Sequence, residues 1–129
     1  MKIINLATTL AALVLFANTV YAEVALQSKE ALVGNWKLLQ TKAGGGTKEA
    51  IERQDTWVFK DGKVTILHIP REGTFYDQPP VDYVVEDGKL KVAILGRADK
   101  FESFSVLSMD DKRMVLVGKF DTHYEFMKK

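Results

Sequence analysis

The chain has 129 residues, with 18 basic residues set against 17 acidic ones, and it contains no cysteine. That balance excludes a basic face built for nucleic acid or an anionic membrane, and the missing thiols exclude disulfides, thiolate catalysis and Cys-based metal sites. The length suits one domain that can bury a core without covalent staples.

Lys2, the apolar run from Ile3 to Ala17 and the sequence Val20-Tyr21-Ala22 have the layout of a secretory signal peptide over 1–22, cleaved after Ala22. The run is interrupted by Asn5, Thr8 and Thr9, and a membrane anchor needs roughly 20 apolar residues. The expectation is a periplasmic or secreted domain over 23–129, with no stable membrane insertion after cleavage. Lys2 leaves with the leader, so the remaining domain carries 17 basic and 17 acidic residues.

A short helix is expected within Glu23 to Val33, with Ser28 as its cap. The first strand then runs from about Asn35 to Thr41, with Trp36 and Leu38 on one face and Lys37, Leu39 and Thr41 on the other. Ala43 to Gln54 reads as a long loop, with Gly44-Gly45-Gly46 resisting regular structure and a helical turn over Lys48–Arg53. Gly46-Thr47-Lys48 lacks the residue order of a phosphate-binding loop.

Two hairpins follow, turning at Asp61-Gly62 and Asp87-Gly88. An Asp-Gly pair supplies the two positive φ angles of a type I′ turn, and a two-residue turn fixes the register. Phe59 then faces Val64, Trp57 faces Ile66 and Asp55 faces His68. In the second hairpin Val85 faces Leu90, Tyr83 faces Val92 and Val81 faces Ile94. These apolar sets should point inward. A third hairpin turns at Met109-Asp110-Asp111-Lys112. Counted from that turn, Phe101, Ser103, Ser105 and Leu107 point inward together with Met114, Leu116, Gly118 and Phe120. Glu102 and Lys119 mark the competing face as wet. The last strand, His123 to Lys128, turns Tyr124 and Phe126 inward.

Eight short strands joined in antiparallel order predict an all-β fold: an eight-stranded up-and-down barrel with a short N-terminal helical turn. Closure removes the two open edges that a flat sheet would expose. The tight turns all fall at one end and close it, with Trp36 as its plug. The longer connections, Ala43–Gln54, Pro70–Pro80, Gly96–Ala98 and Asp121-Thr122, form a mouth at the other.

Gly34-Asn35-Trp36 opening the first strand, a long first loop, a meander of eight strands and the ending Tyr124-Glu125-Phe126-Met127-Lys128-Lys129 resemble the lipocalin family, or a small lipocalin-like domain of the wider calycin group. Typical members set an Arg of the last strand against the Trp; Lys128 occupies the matching position here. The resemblance implies an apolar cavity.

A barrel of this size holds either packed side chains or one small ligand. Ser103, Ser105 and Gly118 leave room for a ligand, whereas Trp57, Phe59, Tyr83 and Phe101 are large enough to fill the space, so both readings stay open. In the ligand reading those four aromatics form the wall, and Asp55 with His68 holds a polar end. The bland reading of Asp55 and His68 is a partly exposed cross-strand pair. Phe75 and Tyr76, in the mouth loop, serve as a lid or as a contact for a partner. His68, His123 and Asp55 near the mouth could together bind a metal, but loop geometry decides it, and neither a metal nor a cofactor is expected. Serines without a histidine at motif spacing do not suggest catalysis. The expected function is binding a small apolar molecule in the cell envelope. The alternative is a protein-binding module, an inhibitor or immunity protein, that uses the mouth loops.

Overall fold

The computed structural model describes residues 24–129; the expected signal peptide over 1–22 lies outside the described residues. Nine strands run in chain order: β1 (Gly34–Lys42), β2 (Ile51–Glu52), β3 (Thr56–Lys60), β4 (Lys63–Arg71), β5 (Thr74–Glu86), β6 (Lys89–Ile94), β7 (Arg97–Met109), β8 (Arg113–Val117) and β9 (His123–Lys128). Every neighbouring pair is antiparallel, and β9 returns to pair with β1, which closes the sheet. Eight strands make the barrel. β2 is the extra one: it continues the line of β3 along β1 after an irregularity, with Gln40 opposite Glu52 and the Arg53 amide donating to the Leu39 carbonyl.

The Asp-Gly turns behave as their chemistry requires. Asp61 and Gly62 have φ of 54° and 74°, Asp87 and Gly88 of 55° and 74°, which is the double positive φ of a type I′ turn. The expected pairs Phe59–Val64, Trp57–Ile66, Val85–Leu90 and Tyr83–Val92 all form. At the third turn the Asp110 carboxylate accepts from the amides of Lys112 and Arg113, both at 2.8 Å. Those two bonds hold its pKa below the usual carboxylate value.

The closed end is capped by the segment before β1. A short 3-10 turn, Lys29–Leu32, replaces the expected helix, and Ser28 makes no side-chain capping bond. Leu32 is fully buried, and the Trp36 indole donates to its carbonyl at 3.0 Å. Ahead of that turn, Val24 bridges to Val106 and the Leu26 amide donates to Gly88. Phe59, Tyr83, Leu90, Met114 and Phe126 complete a solid core in this half of the barrel.

Three bulges correct the sequence-based faces, because one extra residue in a strand moves every residue beyond it to the other face. In β7 the register slips at Leu107: Met109 opposes Met114, yet Val106 opposes Leu116. The inward set is therefore Phe104 and Val106, both buried, and not Phe101, Ser103, Ser105 and Leu107. Phe101 is 43% exposed and Phe120, also expected inside, 90% exposed. In β1 the slip falls at Leu39, which brings Thr41 to the buried face with Trp36 and Leu38. In β4 it falls between Ile66 and Ile69, where His68 takes a φ of 62°.

The Pro70–Pro80 stretch is strand rather than loop. β4 and β5 extend past the barrel as a two-stranded arm with a tight turn at Glu72-Gly73, and most of its side chains are exposed. The His68 amide, released from the ladder by the bulge, donates to the Asp77 carboxylate at 2.9 Å. Asp77→Ala is expected to lower stability by about 0.5–1.5 kcal/mol through loss of that bond. His68→Gly is expected to be nearly neutral, since glycine relieves the positive φ while losing the ring. Urea midpoints check both, and an unchanged midpoint for Asp77→Ala would show that the bond does not hold the bulge.

The loop after β1 differs in part: Gly44, Gly45 and Gly46 take left-handed φ of 62°, 68° and 84°, as their resistance to regular structure implies, but β2 at Ile51–Glu52 stands where a helical turn over Lys48–Arg53 was expected. Gly46 lies tight against His123, where an added Cβ would sit 2.7 Å from the imidazole Nδ1.

Candidate functional site

β5 and β6 pair only over Tyr83–Glu86 with Lys89–Val92. Beyond Tyr83 the strands part, so the expected Val81–Ile94 pair does not form. Parting leaves the mouth half of the barrel less filled than the closed half. A cavity of about 320 Å³ opens there, lined by Leu38, Ile66, Val92 and Phe104 among others. Its lining also carries the polar side chains Arg53, Asp55, Gln78, Glu102 and Tyr124. A second depression of about 290 Å³ follows the gap between β5 and β6, and Ala93, Ile94 and Leu95 border both.

Asp55 belongs to this cavity, but its partner is not His68. The residue is buried, and Arg53 grips its carboxylate with two hydrogen bonds, Nε to Oδ1 at 2.9 Å and Nη2 to Oδ2 at 2.8 Å. The fork geometry of the guanidinium suits this bidentate grip. The two residues stand two apart along an extended run, so their side chains emerge on the same side. His68 turns out of the barrel at its bulge, is exposed, and stacks on Phe75 with ring centroids 3.6 Å apart. His123 sits at Gly46, and among the described residues no group of three or more His, Cys, Asp or Glu could hold a metal ion.

Trp57 also lines the cavity, within an aromatic cluster. Its ring lies 5.0 Å from Phe126 and 5.7 Å from Phe104, both edge-on, and 6.3 Å from Tyr124. The indole Nε1 is buried and, among the described residues, has no hydrogen-bond partner. Native folds rarely leave such a donor without an acceptor.

Glu102 is the residue that the sequence reading set on the wet face. It lies directly opposite Val92 and shares a face with Phe104, so the Leu107 bulge carries it inward. Among the described residues its carboxylate makes no ion pair and no side-chain hydrogen bond. Burial raises the Tyr124 phenol above its usual value; Glu102 and Asp55 push it further up and Arg53 pulls it back. The phenol thus stands within reach of all three charges.

The remaining expected site residues fall elsewhere. Phe59 and Tyr83 pack edge-on at 5.0 Å in the closed half, beneath the cavity. Phe101 and Ser103 are on the outer face. Gly118 is inside, but an added Cβ would meet the Tyr124 ring at 2.9 Å and the Phe104 ring at 3.0 Å, so it serves ring packing rather than open space. Phe75 and Tyr76 are exposed on the arm, with the Arg71 guanidinium 4.8 Å over the Tyr76 ring. Arg53, Glu102 and Gln78 were missed as site residues. Arg53-x-Asp55 was legible as a same-face pair of opposite charges; Glu102 was hidden by the bulge.

No family model matches the chain, and no curated protein matches it. Among solved structures, a crystal structure of an uncharacterized protein from Bacteroides eggerthii matches with a TM-score of 0.60 at 15% identity, over 75% of this chain and 98% of that one. At that identity the likeness speaks for the fold alone. The chain is a closed eight-stranded antiparallel β-barrel with one extra strand.

Proposed function

We propose that this protein is an exported binding protein that holds a small apolar molecule in the open half of its barrel. The observation that carries the reading is the cavity of about 320 Å³, lined by apolar and aromatic side chains together with a few polar ones. Ligand sites combine these features, apolar walls with a few convergent polar groups, at volumes from roughly 300 Å³ upward. The size favours a compact molecule over a long-chain lipid. Membership of the lipocalin family, suggested by Gly34-Asn35-Trp36 and by Lys128 over the Trp36 ring at 5.3 Å, fits the same use. The leader-like residues 1–22 and the balanced charge of the rest fit an envelope or extracellular location. We read the role as binding rather than catalysis.

N-phenyl-1-naphthylamine, a compact uncharged fluorophore at neutral pH, is the probe of choice. Wild-type protein is expected to take it up saturably, at one equivalent. Ile69→Trp, which adds bulk at the cavity wall, should weaken uptake by about tenfold or more, equivalent to about 1.4 kcal/mol, while the protein still unfolds cooperatively. Absence of saturable uptake, together with no small molecule seen by native mass spectrometry of the purified protein, would sink the carrier reading.

One observation favours a second reading, a protein-binding module. The arm of β4 and β5 carries Phe75 and Tyr76 at 45% and 42% exposure. Exposed aromatics on a projecting hairpin suit a partner's surface. A protein that co-purifies with the wild type, and is lost on Phe75→Ser with Tyr76→Ser, would favour this reading.

A further inference from the structure

We infer that the cavity selects for a small apolar molecule bearing an amine, with its cationic head at Glu102, over a molecule of the same size bearing a carboxylate. The inference rests on the carrier reading above and adds the chemistry of the head group.

Three charged side chains line the cavity. Arg53 and Asp55 satisfy each other through their bidentate pair, so their charges largely cancel. Glu102 has no ion-pair partner among the described residues. The cavity therefore carries one uncompensated negative charge. A carboxylate guest would face that charge at close range within the cavity, and like charges repel. An ammonium guest would meet an acceptor-only group that lacks a donor. Arg53 is the one cation in the lining, and its grip on Asp55 leaves it poorly placed to rescue a carboxylate. The Tyr124 hydroxyl stands in the same field and can accept from an ammonium or donate to Glu102.

Displacement of N-phenyl-1-naphthylamine by octylamine and by octanoate tests the head group at matched length. The amine is expected to bind about tenfold more tightly, the scale of one charge-assisted hydrogen bond. Glu102→Gln should collapse the ratio, whereas Glu86→Gln, on the outer surface, should leave it intact. Equal affinities, tighter octanoate, or a preference that survives Glu102→Gln would overturn the head-group assignment and leave the carrier reading standing. Failure of the wild-type protein to bind the uncharged fluorophore at all would remove the carrier reading and this inference with it. The wild-type comparison decides the matter even if Glu102→Gln proves poorly folded.

Discussion

Trp36→Ala is expected to lower the stability of the barrel by about 3–5 kcal/mol, the range for aromatic deletions in cores. Trp36 is 1% exposed at the closed end, and three interactions converge on it. It faces Trp57 across β1 and β3, its indole donates to the Leu32 carbonyl at 3.0 Å, and the Lys128 ammonium lies 5.3 Å from its ring. The substitution opens a void beside Leu32 and leaves a buried carbonyl without its donor, so cavity and hydrogen-bond penalties act together. Single domains have only about 5–15 kcal/mol in total, so the variant should unfold at much lower denaturant concentration. Equilibrium unfolding in urea measures the difference. A midpoint equal to wild type would mean that Trp36 does not seal the closed end.

The second large effect separates the two faces of β7. Phe104→Ala is expected to lower stability by about 3–5 kcal/mol, whereas Phe101→Ala should stay within about 0.5 kcal/mol of wild type. Phe104 is 4% exposed, edge-on to Trp57 at 5.7 Å and to Tyr124 at 5.5 Å, and it lines the cavity. Phe101, three residues away, is 43% exposed on the outer face. The pair is a controlled comparison, because residue type, strand and substitution are the same and only the face differs. Comparable losses for the two, or a larger loss for Phe101→Ala, would place the Leu107 bulge wrongly and return Glu102 to the outside.

The sequence by itself determined the parts of this barrel that depend on local chemistry. Asp61-Gly62 and Asp87-Gly88 demand type I′ turns, and those turns set the register for four residues or more on either side. Alternation then places Phe59, Trp57, Val64 and Tyr83 inside without reference to any distant residue. Trp36 as the closed-end plug follows from the same logic, because the tight turns mark that end.

The tertiary structure alone decided what lies beyond each bulge. Nothing local to Leu39, Leu107 or His68 announces an extra residue; the bulges accommodate strand curvature and closure, which involve strands distant in sequence. One misplaced residue at Leu107 inverted the whole mouth-proximal length of β7, exchanging Phe104 and Glu102 for Phe101 and Ser103. The slip between Ile66 and Ile69 separated His68 from Asp55 in the same way. Asp55 found its partner two residues back, where Arg53 leaves the regular ladder. The cavity was illegible for the same reason. It exists because β5 and β6 part beyond Tyr83, and that parting is a property of the closed sheet rather than of either strand.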